Sequence, residues 1–196
     1  MGRWQPGTRE RLERAALDLF LEQGYTETTV PQITARAGLT TRTFFRYFAD
    51  KREVLFAEEE AVPERVAGFM AEAPPALGPM PLITEGLPRV AVRIFEGRSL
   101  EYLLRRRSVI DAEPALHERE LRKFALLAEA VEQGFRRRGV DGLTARLAAE
   151  VAVTAFRIAV TRWLDQHGEP GLPAVIDETL AALRRLTGEG GHAVHH

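Results

Sequence analysis

The chain has 196 residues, of which 45% are hydrophobic and 28% are charged, so it is long enough for one or two globular domains with a buried core. Lysine and arginine number 27 and aspartate and glutamate 28, which excludes a uniformly basic protein but not a local basic surface. The lack of cysteine excludes disulfide bonds, thiolate metal sites and a cysteine nucleophile, and it fits a cytoplasmic protein. Residues 1–7 contain no signal-peptide core, and the longest uncharged stretch, 73–84, contains four prolines, so no membrane segment is expected.

Four short helices are predicted in the N-terminal third of the chain, where apolar residues recur at intervals of three and four. They are expected from Thr8 to Gly24, from Thr29 to Gly38, from Thr41 to Phe48, and from Asp50 onward, with either a kink or a break at Pro63. The sequence from Thr29 to Gln32 has the pattern of a capping box, in which the two side chains bind the first N–H groups of a helix. Thr40 is expected to cap the third helix.

The remainder of the chain also has helical patterns. A proline-rich stretch from Pro74 to Pro81 predicts a loop, and five helices are expected near 82–97, 99–110, 114–138, 143–167 and 172–187. No strand pattern competes, because the chain has no asparagine and its single Asp-Gly pair joins two helical patterns. We therefore expect an all-α chain with a first domain at 1–55, a second at 56–187 and a tail at 188–196. Residues 1–55 carry a net charge of +2, against −3 for the rest.

Residues 29–51 have the spacing of a helix-turn-helix, two short helices joined by Ala37-Gly38-Leu39-Thr40. On the second helix Phe44 and Phe48 lie on one face. The opposite face carries Arg42, Thr43 and Arg46. Arginine can donate two hydrogen bonds to guanine, and threonine offers a hydroxyl and a methyl group, so this face suits the major groove of DNA.

Two aromatic residues, Phe45 and Tyr47, flank that polar face, and Lys51 follows in the first turn of the next helix, where its ammonium could meet a phosphate. Solvated surface charge is the ordinary explanation for a single exposed arginine. It does not explain two aromatic residues beside the arginines, because exposed aromatic rings are unfavourable without a partner.

This block resembles the N-terminal domain of the TetR family of transcriptional regulators. The resemblance is carried by Ala15-Ala16, Leu19-Phe20, Gly24-Tyr25, Thr28-Thr29-Val30, Ile33, Ala37-Gly38-Leu39-Thr40, Thr43-Phe44-Phe45-Arg46-Tyr47-Phe48, Lys51 and Leu55. It implies an all-helical homodimer that binds double-stranded operator DNA, most often as a repressor, and a divergent C-terminal domain that binds a small-molecule effector. The family usually has tyrosine at the position of Phe45, where its hydroxyl binds a phosphate, and Arg46 or Tyr47 could compensate. The candidate DNA-contacting residues are Thr29, Thr40, Thr41, Arg42, Thr43, Phe45, Arg46, Tyr47 and Lys51.

The stretch from Leu143 to Leu164 is apolar over a wide arc, so it could be buried by its own subunit on one side and by a partner subunit on the other. Together with the last helix it could form a four-helix bundle across a dimer, or both helices could belong to the core of one subunit. The candidate interface residues are Ala152, Ala155, Ala159, Leu180 and Leu183.

Aromatic residues of the second domain are expected in its core, and some could line a ligand pocket. Arg157 interrupts an apolar run, and a buried guanidinium needs an anionic partner, either an internal carboxylate or an anionic ligand. Arg106, in a run of three arginines, could lie at the pocket mouth or on a solvated face. The candidate pocket residues are Phe69, Phe95, Tyr102, Arg106, Phe124, Phe156, Arg157 and Trp163. A weaker resemblance to actinobacterial TetR members, carried by 44–48 and 157–164, suggests an acyl-CoA-like effector.

Signals for an enzyme are poor, and no catalytic residue, metal or cofactor is expected. Neither Ser99 nor Ser108 lies in a nucleophile-elbow pattern, His117 and His167 lack metal-type partners, and no glycine loop for phosphate is present. The tail histidines, His192, His195 and His196, could bind a metal or derive from an expression vector. A helical protein-interaction module, a regulator without a ligand and a small helical enzyme remain as alternatives.

Overall fold

The structure, a computed structural model, describes residues 7–56 and 62–188. The tail histidines lie outside these residues. Within the described ranges the chain forms helices and no strand, which confirms the all-α prediction, and no helix there is long and apolar enough to cross a membrane. The helices are α1 (Thr8–Gln23), α2 (Val30–Ala37), α3 (Thr41–Tyr47), α4 (Glu53–Phe56), α5 (Val62–Glu72), α6 (Pro79–Phe95), α7 (Leu100–Ala112), α8 (Pro114–Arg137), α9 (Gly142–Asp165) and α10 (Leu172–Gly188).

The helix-turn-helix is defined by local hydrogen bonds that its sequence predicts. The Thr29 hydroxyl accepts the N–H of Gln32, and the Gln32 side chain accepts the N–H of Thr29 at 2.8 Å, so the capping box forms. Helix α2 ends at Gly38, whose φ of 64° is accessible to glycine without a Cβ clash. Thr40 caps α3 by accepting the N–H of Thr43 at 3.2 Å. These caps fix where α2 and α3 begin.

The prolines lie at helix starts more often than the sequence predicts. Helix α6 begins at Pro79, so the proline-rich loop ends at residue 78, and Pro81 belongs to the helix. Pro63 is the second residue of α5, where a missing N–H leaves no hydrogen bond unmade. Residues 57–61, which the sequence places in the same helix before Pro63, lie outside the described residues. The first helix also differs by one residue, because Gly7 rather than Thr8 occupies its N-cap.

The chain divides into two compact units. Unit 1 contains residues 7–56 and 101–121, and unit 2 contains residues 62–100 and 122–188. The sequence-based boundary at 55 places 101–121 in the second domain, whereas in the structure these residues pack with α1 and α4. The reason is apolar contact, since α7 contributes Val109 and Ile110, and α8 contributes Leu116, to the core of unit 1.

Unit 1 is built on α1, which packs against α2 and α4, and α2 in turn packs against α3. Leu12 and Ile33 are fully buried at the contact of α1 and α2, and Phe44 brings α3 into the same core. An ion pair between Asp18 and Arg105 joins α1 to α7. Helix α3 is therefore held on a core that includes residues distant in sequence.

Unit 2 is a helical bundle in which α6, α9 and α10 pack against one another and α5 packs against α6. Small residues of α9, among them Ala145, Ala149 and Ala159, are buried in this core and allow close helix packing. Helix α10 contributes the fully buried Val175 and Ile176 to the same core.

An arginine at the end of α8 binds the C-terminal end of α5. Pro74 and Pro75 follow α5 and have no N–H groups, so they cannot donate to the carbonyl groups of its last turn. The Arg138 guanidinium donates to the carbonyl oxygens of Met70 at 2.8 Å and Ala73 at 3.0 Å, and to two further carbonyl groups of the following turn. One side chain thus donates to a carbonyl of the last turn of α5 and to three carbonyls of the segment that follows.

Candidate functional site

The exposed face of α3 is the candidate nucleic-acid interface. Phe44 is the one buried residue of this seven-residue helix, and its ring lies 5.4 Å from that of Phe48. Arg42, Phe45 and Arg46 are exposed on the other side, with 58% of Phe45 accessible to solvent. The helix therefore has one face anchored in the core and one polar and aromatic face open to solvent.

The three threonines at the start of α3 and the one before α2 differ in their contacts. The hydroxyls of Thr29 and Thr40 are bound to N–H groups as helix caps. Thr43 is half-buried, and its hydroxyl lies 3.0 Å from that of Thr40. Thr41 is exposed. Of this set, Thr41 is the threonine whose side chain is exposed and takes no part in the cap.

Arg46 and Tyr47 form a contact at the end of α3. The Arg46 guanidinium lies 5.2 Å from the centre of the Tyr47 ring, and Tyr47 packs against the core of unit 1. A cation held against a ring in this way has fewer conformations to lose when it binds a partner. Arg46 is thus pre-positioned, and Tyr47 is a support for it as well as a candidate contact.

Lys51 occupies a different place from the one its sequence position suggests. Its ammonium donates to the carbonyl oxygens of Tyr25, Thr26 and Thr28 at 2.7, 3.1 and 2.8 Å, and lies 4.3 Å from the Tyr25 ring centre. Burial lowers the pKa of this ammonium from its ordinary value. Because an ammonium has three N–H donors, these carbonyls use its capacity and Lys51 fixes the turn between α1 and α2 rather than facing a phosphate.

Contacts that the sequence did not reveal hold α2 on α1. The Arg11 guanidinium donates to the carbonyl oxygen of Ala37 at the end of α2. Arg36 of α2 pairs with Glu22 of α1, with 2.6 Å between guanidinium nitrogen and carboxylate oxygen. The partners lie 26 and 14 positions apart, so helical periodicity carries no signal for them.

Two residues expected in a ligand pocket belong to unit 1 instead. Arg106 donates to the carbonyl oxygen of Leu55 at 2.9 Å, pairs with Glu120 at 3.1 Å and stacks on the Phe56 ring. Tyr102 packs against the core of the same unit. Both lie on α7, which the sequence-based boundary at 55 places in the second domain. The prediction that they line a pocket of that domain is therefore wrong.

Unit 2 contains a cavity with about 60 Å³ of free space. Four helices, α5, α6, α8 and α9, form its walls, and every lining side chain is apolar or glycine. Phe69 of α5 and Phe156 of α9 are in the lining, as expected. The cavity also uses residues that the sequence did not single out, because a buried leucine or valine in a pocket wall has the same pattern as one in a packed core.

The other aromatic candidates lie beside the cavity rather than in its lining. Phe95 stacks on Phe156 with 6.2 Å between ring centres and also contacts Trp163 at 5.8 Å. The indole N–H of Trp163 donates to the carbonyl oxygen of Gly168 at 3.0 Å. Phe124 packs at the edge of the unit 2 core beneath the Lys123 ammonium.

Arg157 is exposed, which corrects the expectation of a buried guanidinium. Its neighbours Ala155 and Phe156 are buried, but Arg157 follows on the solvent side of α9. An apolar run in a helix covers more than one face, so a charge inside the run still reaches water. Because water solvates its guanidinium, Arg157 does not require an anionic partner.

Most of the interface candidates lie in the core of unit 2, which is one of the two alternatives that the sequence left open. Ala152, Ala155, Ala159 and Leu180 are buried in the core of unit 2, while Leu183 is half-buried. The exposed large apolar residues of the last two helices are Leu143, Leu147, Ile158 and Leu186. In the single chain, the alanines of α9 thus face the core of unit 2 and the larger apolar side chains face outward.

No group of three or more histidine, aspartate or glutamate side chains suited to a metal occurs between residues 7 and 56 or between 62 and 188. The candidate sites are accordingly the α3 face in unit 1 and the apolar cavity in unit 2.

Comparison with known proteins agrees with this architecture. Residues 13–57 match the family model for bacterial regulatory proteins of the tetR family. The HTH-type transcriptional regulator TcmR of Streptomyces glaucescens is 38% identical over 90 residues, 46% of this chain and 40% of TcmR. MftR of Mycobacterium tuberculosis is 24% identical over 193 residues, 95% of this chain and 96% of MftR. The chain thus spans less than half the length of TcmR in the alignment.

A solved structure shows the same fold. NalD, the secondary repressor of the MexAB-OprM multidrug efflux pump in Pseudomonas aeruginosa, superposes with a TM-score of 0.63 at 19% identity, covering 92% of this chain and 97% of NalD. Residues 13–57 thus carry the N-terminal domain of the TetR family, and the rest of the chain shares the helical fold of NalD.

Proposed function

We propose that this protein is a homodimeric repressor that binds an inverted-repeat operator through α3 of each subunit and releases it when a small molecule binds in unit 2. The observation that carries the proposal is α3 itself, with Phe44 anchored in the core and Arg42, Phe45 and Arg46 exposed together. A two-fold dimer places two such helices in successive major grooves about 34 Å apart, so each reads one half of the repeat.

Salt dependence distinguishes this proposal from a helical protein-interaction module. Binding of arginines to phosphates releases counterions, so the operator affinity should fall steeply and linearly on a logarithmic salt scale. A module that recognises another protein through the same helix would bind neither random nor selected DNA. Selection of bound fragments from a genomic pool supplies the duplex for this measurement.

Replacing Arg42 or Arg46 with alanine should weaken binding to the selected operator by about 1–3 kcal/mol, or about 5- to 150-fold, if the guanidinium reads a base. Preference at one base pair of each half-site should relax in the same variant, because a lost base contact removes discrimination as well as affinity. Fluorescence anisotropy with operators altered at single positions measures both effects.

Arg65, exposed on α5 of unit 2, provides the matched control, and Arg65→Ala should bind as the unaltered protein does. Unchanged affinity in both Arg42→Ala and Arg46→Ala would show that α3 is not the reading helix. A uniform loss across all sequences would instead assign these arginines to phosphates.

The exposed apolar side chains of α9 support the proposed dimer. Leu143, Leu147 and Ile158 recur on one face of the helix, and Leu147 is 58% and Ile158 45% accessible in the single chain. Large apolar side chains that recur on an exposed helix face support a surface that another chain covers. Leu186 of α10, also exposed, extends the apolar surface of unit 2.

A glutamate at position 147 or 158 should shift the protein from dimer to monomer. The two-fold axis repeats each substitution, so each dimer would bury two additional carboxylates. Sedimentation velocity over a range of concentrations measures the shift. Leu126→Glu, at an equally exposed leucine of α8, is the control and should leave the dimer intact. Dimers that persist in both Leu147→Glu and Ile158→Glu would place the interface elsewhere.

A further inference from the structure

We propose that the cavity of unit 2 accepts a small uncharged apolar molecule and rejects its anionic and cationic counterparts. This inference names the chemistry of the effector site, and it rests on the proposed function only for the role of the bound molecule in releasing DNA. It differs from the acyl-CoA-like effector that the sequence suggested.

The lining of the cavity carries the inference. Valine, leucine and isoleucine side chains form most of it, together with Phe69, Phe156 and Met70, and no lining residue has a polar side chain. A carboxylate or ammonium placed there would lose its hydration without gaining a hydrogen bond or a counter-ion. Such a group would either remain outside or prevent binding.

The cationic side chains of unit 2 lie elsewhere. Arg138 donates to four carbonyl groups around the end of α5, Arg162 pairs with Glu178 at 3.2 Å, and Arg157 is exposed. None of the three lines the cavity. An anionic ligand would therefore have no guanidinium to bind within these walls.

The free space of about 60 Å³ also limits the size of the ligand. It corresponds to roughly two water molecules, well below the ~300 Å³ or more typical of drug-sized ligands. A ligand as large as a substituted benzene must displace part of the wall. Met70 is suited to this movement, because its unbranched thioether side chain adapts to different packing partners.

Phe69 is the part of the wall that packs most closely on α6. Its ring lies so close to α6 that a Cβ atom at Gly86 would be 2.4 Å from the nearest ring carbon. Glycine at this position thus provides the space for the ring. Phe69 packs on bare backbone there, with no side chain of residue 86 between them.

Toluene, benzoate and benzylamine test the inference, because they have similar shapes and differ in charge. The chain has three methionines, and labelling their methyl groups with ¹³C gives a site-specific signal. Met70 lines the cavity, whereas Met80 is 39% exposed and outside the lining. We expect toluene to shift the Met70 methyl resonance through its ring current while Met80 stays in place, and to bind more than about tenfold tighter than either ion.

Variants at Ala152 locate the binding. Ala152→Leu adds three carbon atoms to the cavity wall and should abolish the toluene-induced shift of Met70, and Ala152→Val should weaken it if the leucine is too large for folding. Ala125→Leu, at an exposed alanine of α8, is the matched control and should bind toluene normally.

Three results would overturn the inference: no shift of Met70 with toluene, equal affinity for benzoate, or unchanged binding in the folded Ala152 variant. Operator affinity is then measured with and without toluene. Toluene bound at Met70 without any loss of operator affinity would support the cavity chemistry and refute the effector role in the proposed function. Loss of operator affinity with no shift at Met70 would refute the cavity as the binding site, while the proposed release of DNA by a small molecule would stand.

Discussion

Replacing Phe44 with alanine should lower the free energy of unfolding of unit 1 by about 3–5 kcal/mol. Phe44 is completely buried and is the single buried residue of α3, so its removal leaves a cavity and detaches the helix from the core. A seven-residue helix has little stability of its own, because its nucleation requires tertiary support. Binding to the operator should be lost together with the helix.

Phe45, the next residue, provides a matched control. It is 58% exposed, so Phe45→Ala removes a ring of the same size with little effect on stability. Hydrogen exchange resolved by helix measures the difference, and Phe44→Ala should lose protection in α1, α2 and α3 while unit 2 keeps it. Equal protection in the two variants would show that α3 does not depend on Phe44.

Replacing Arg138 with alanine should lower the stability of unit 2 by about 3 kcal/mol, because several carbonyl groups would lose a charged donor. Pro74 and Pro75 cannot supply N–H groups in its place. The end of α5 should fray first, and denaturant unfolding followed by Trp163 fluorescence, in a Trp4→Phe background, measures the loss.

Arg137, the preceding residue, is exposed, and Arg137→Ala should have little effect. Arg138→Lys should be intermediate, since an ammonium donates from one point whereas a guanidinium spreads its donors over a plane. An Arg138→Ala variant as stable as Arg137→Ala would show that water replaces the guanidinium at these carbonyls.

The helix-turn-helix could be predicted because its determinants are local. The capping box of Thr29 and Gln32, the positive φ of Gly38 and the cap at Thr40 each depend on residues within four positions. These determinants lie close together in the sequence, so the sequence alone predicts the start of α3. The helical repeat then places Arg42 and Arg46 on the face opposite Phe44.

The remaining candidates depended on contacts between distant residues. Lys51 reaches carbonyls 23 to 26 positions away, and nothing near it in sequence reveals them. Ala152 and Arg157 lie on one apolar helix, where periodicity cannot tell which side faces the subunit core. The sequence therefore predicted a buried guanidinium at Arg157, which is wrong, and it left open whether the alanines lie in the subunit core or at a partner interface.

Unit 1 is formed from two separate segments of the chain, which limits how hybrid proteins with this fold can be made. A hybrid that joins residues 1–56 to the C-terminal part of another protein with this fold would place foreign residues where Arg105, Ile110 and Leu116 complete this unit. Helices α1 to α4 would then pack against apolar residues that do not fit them, and Asp18 would lose its ion pair with Arg105. A hybrid that changes operator preference and keeps unit 1 stable must therefore exchange two segments together, residues 1–56 and residues 101–121.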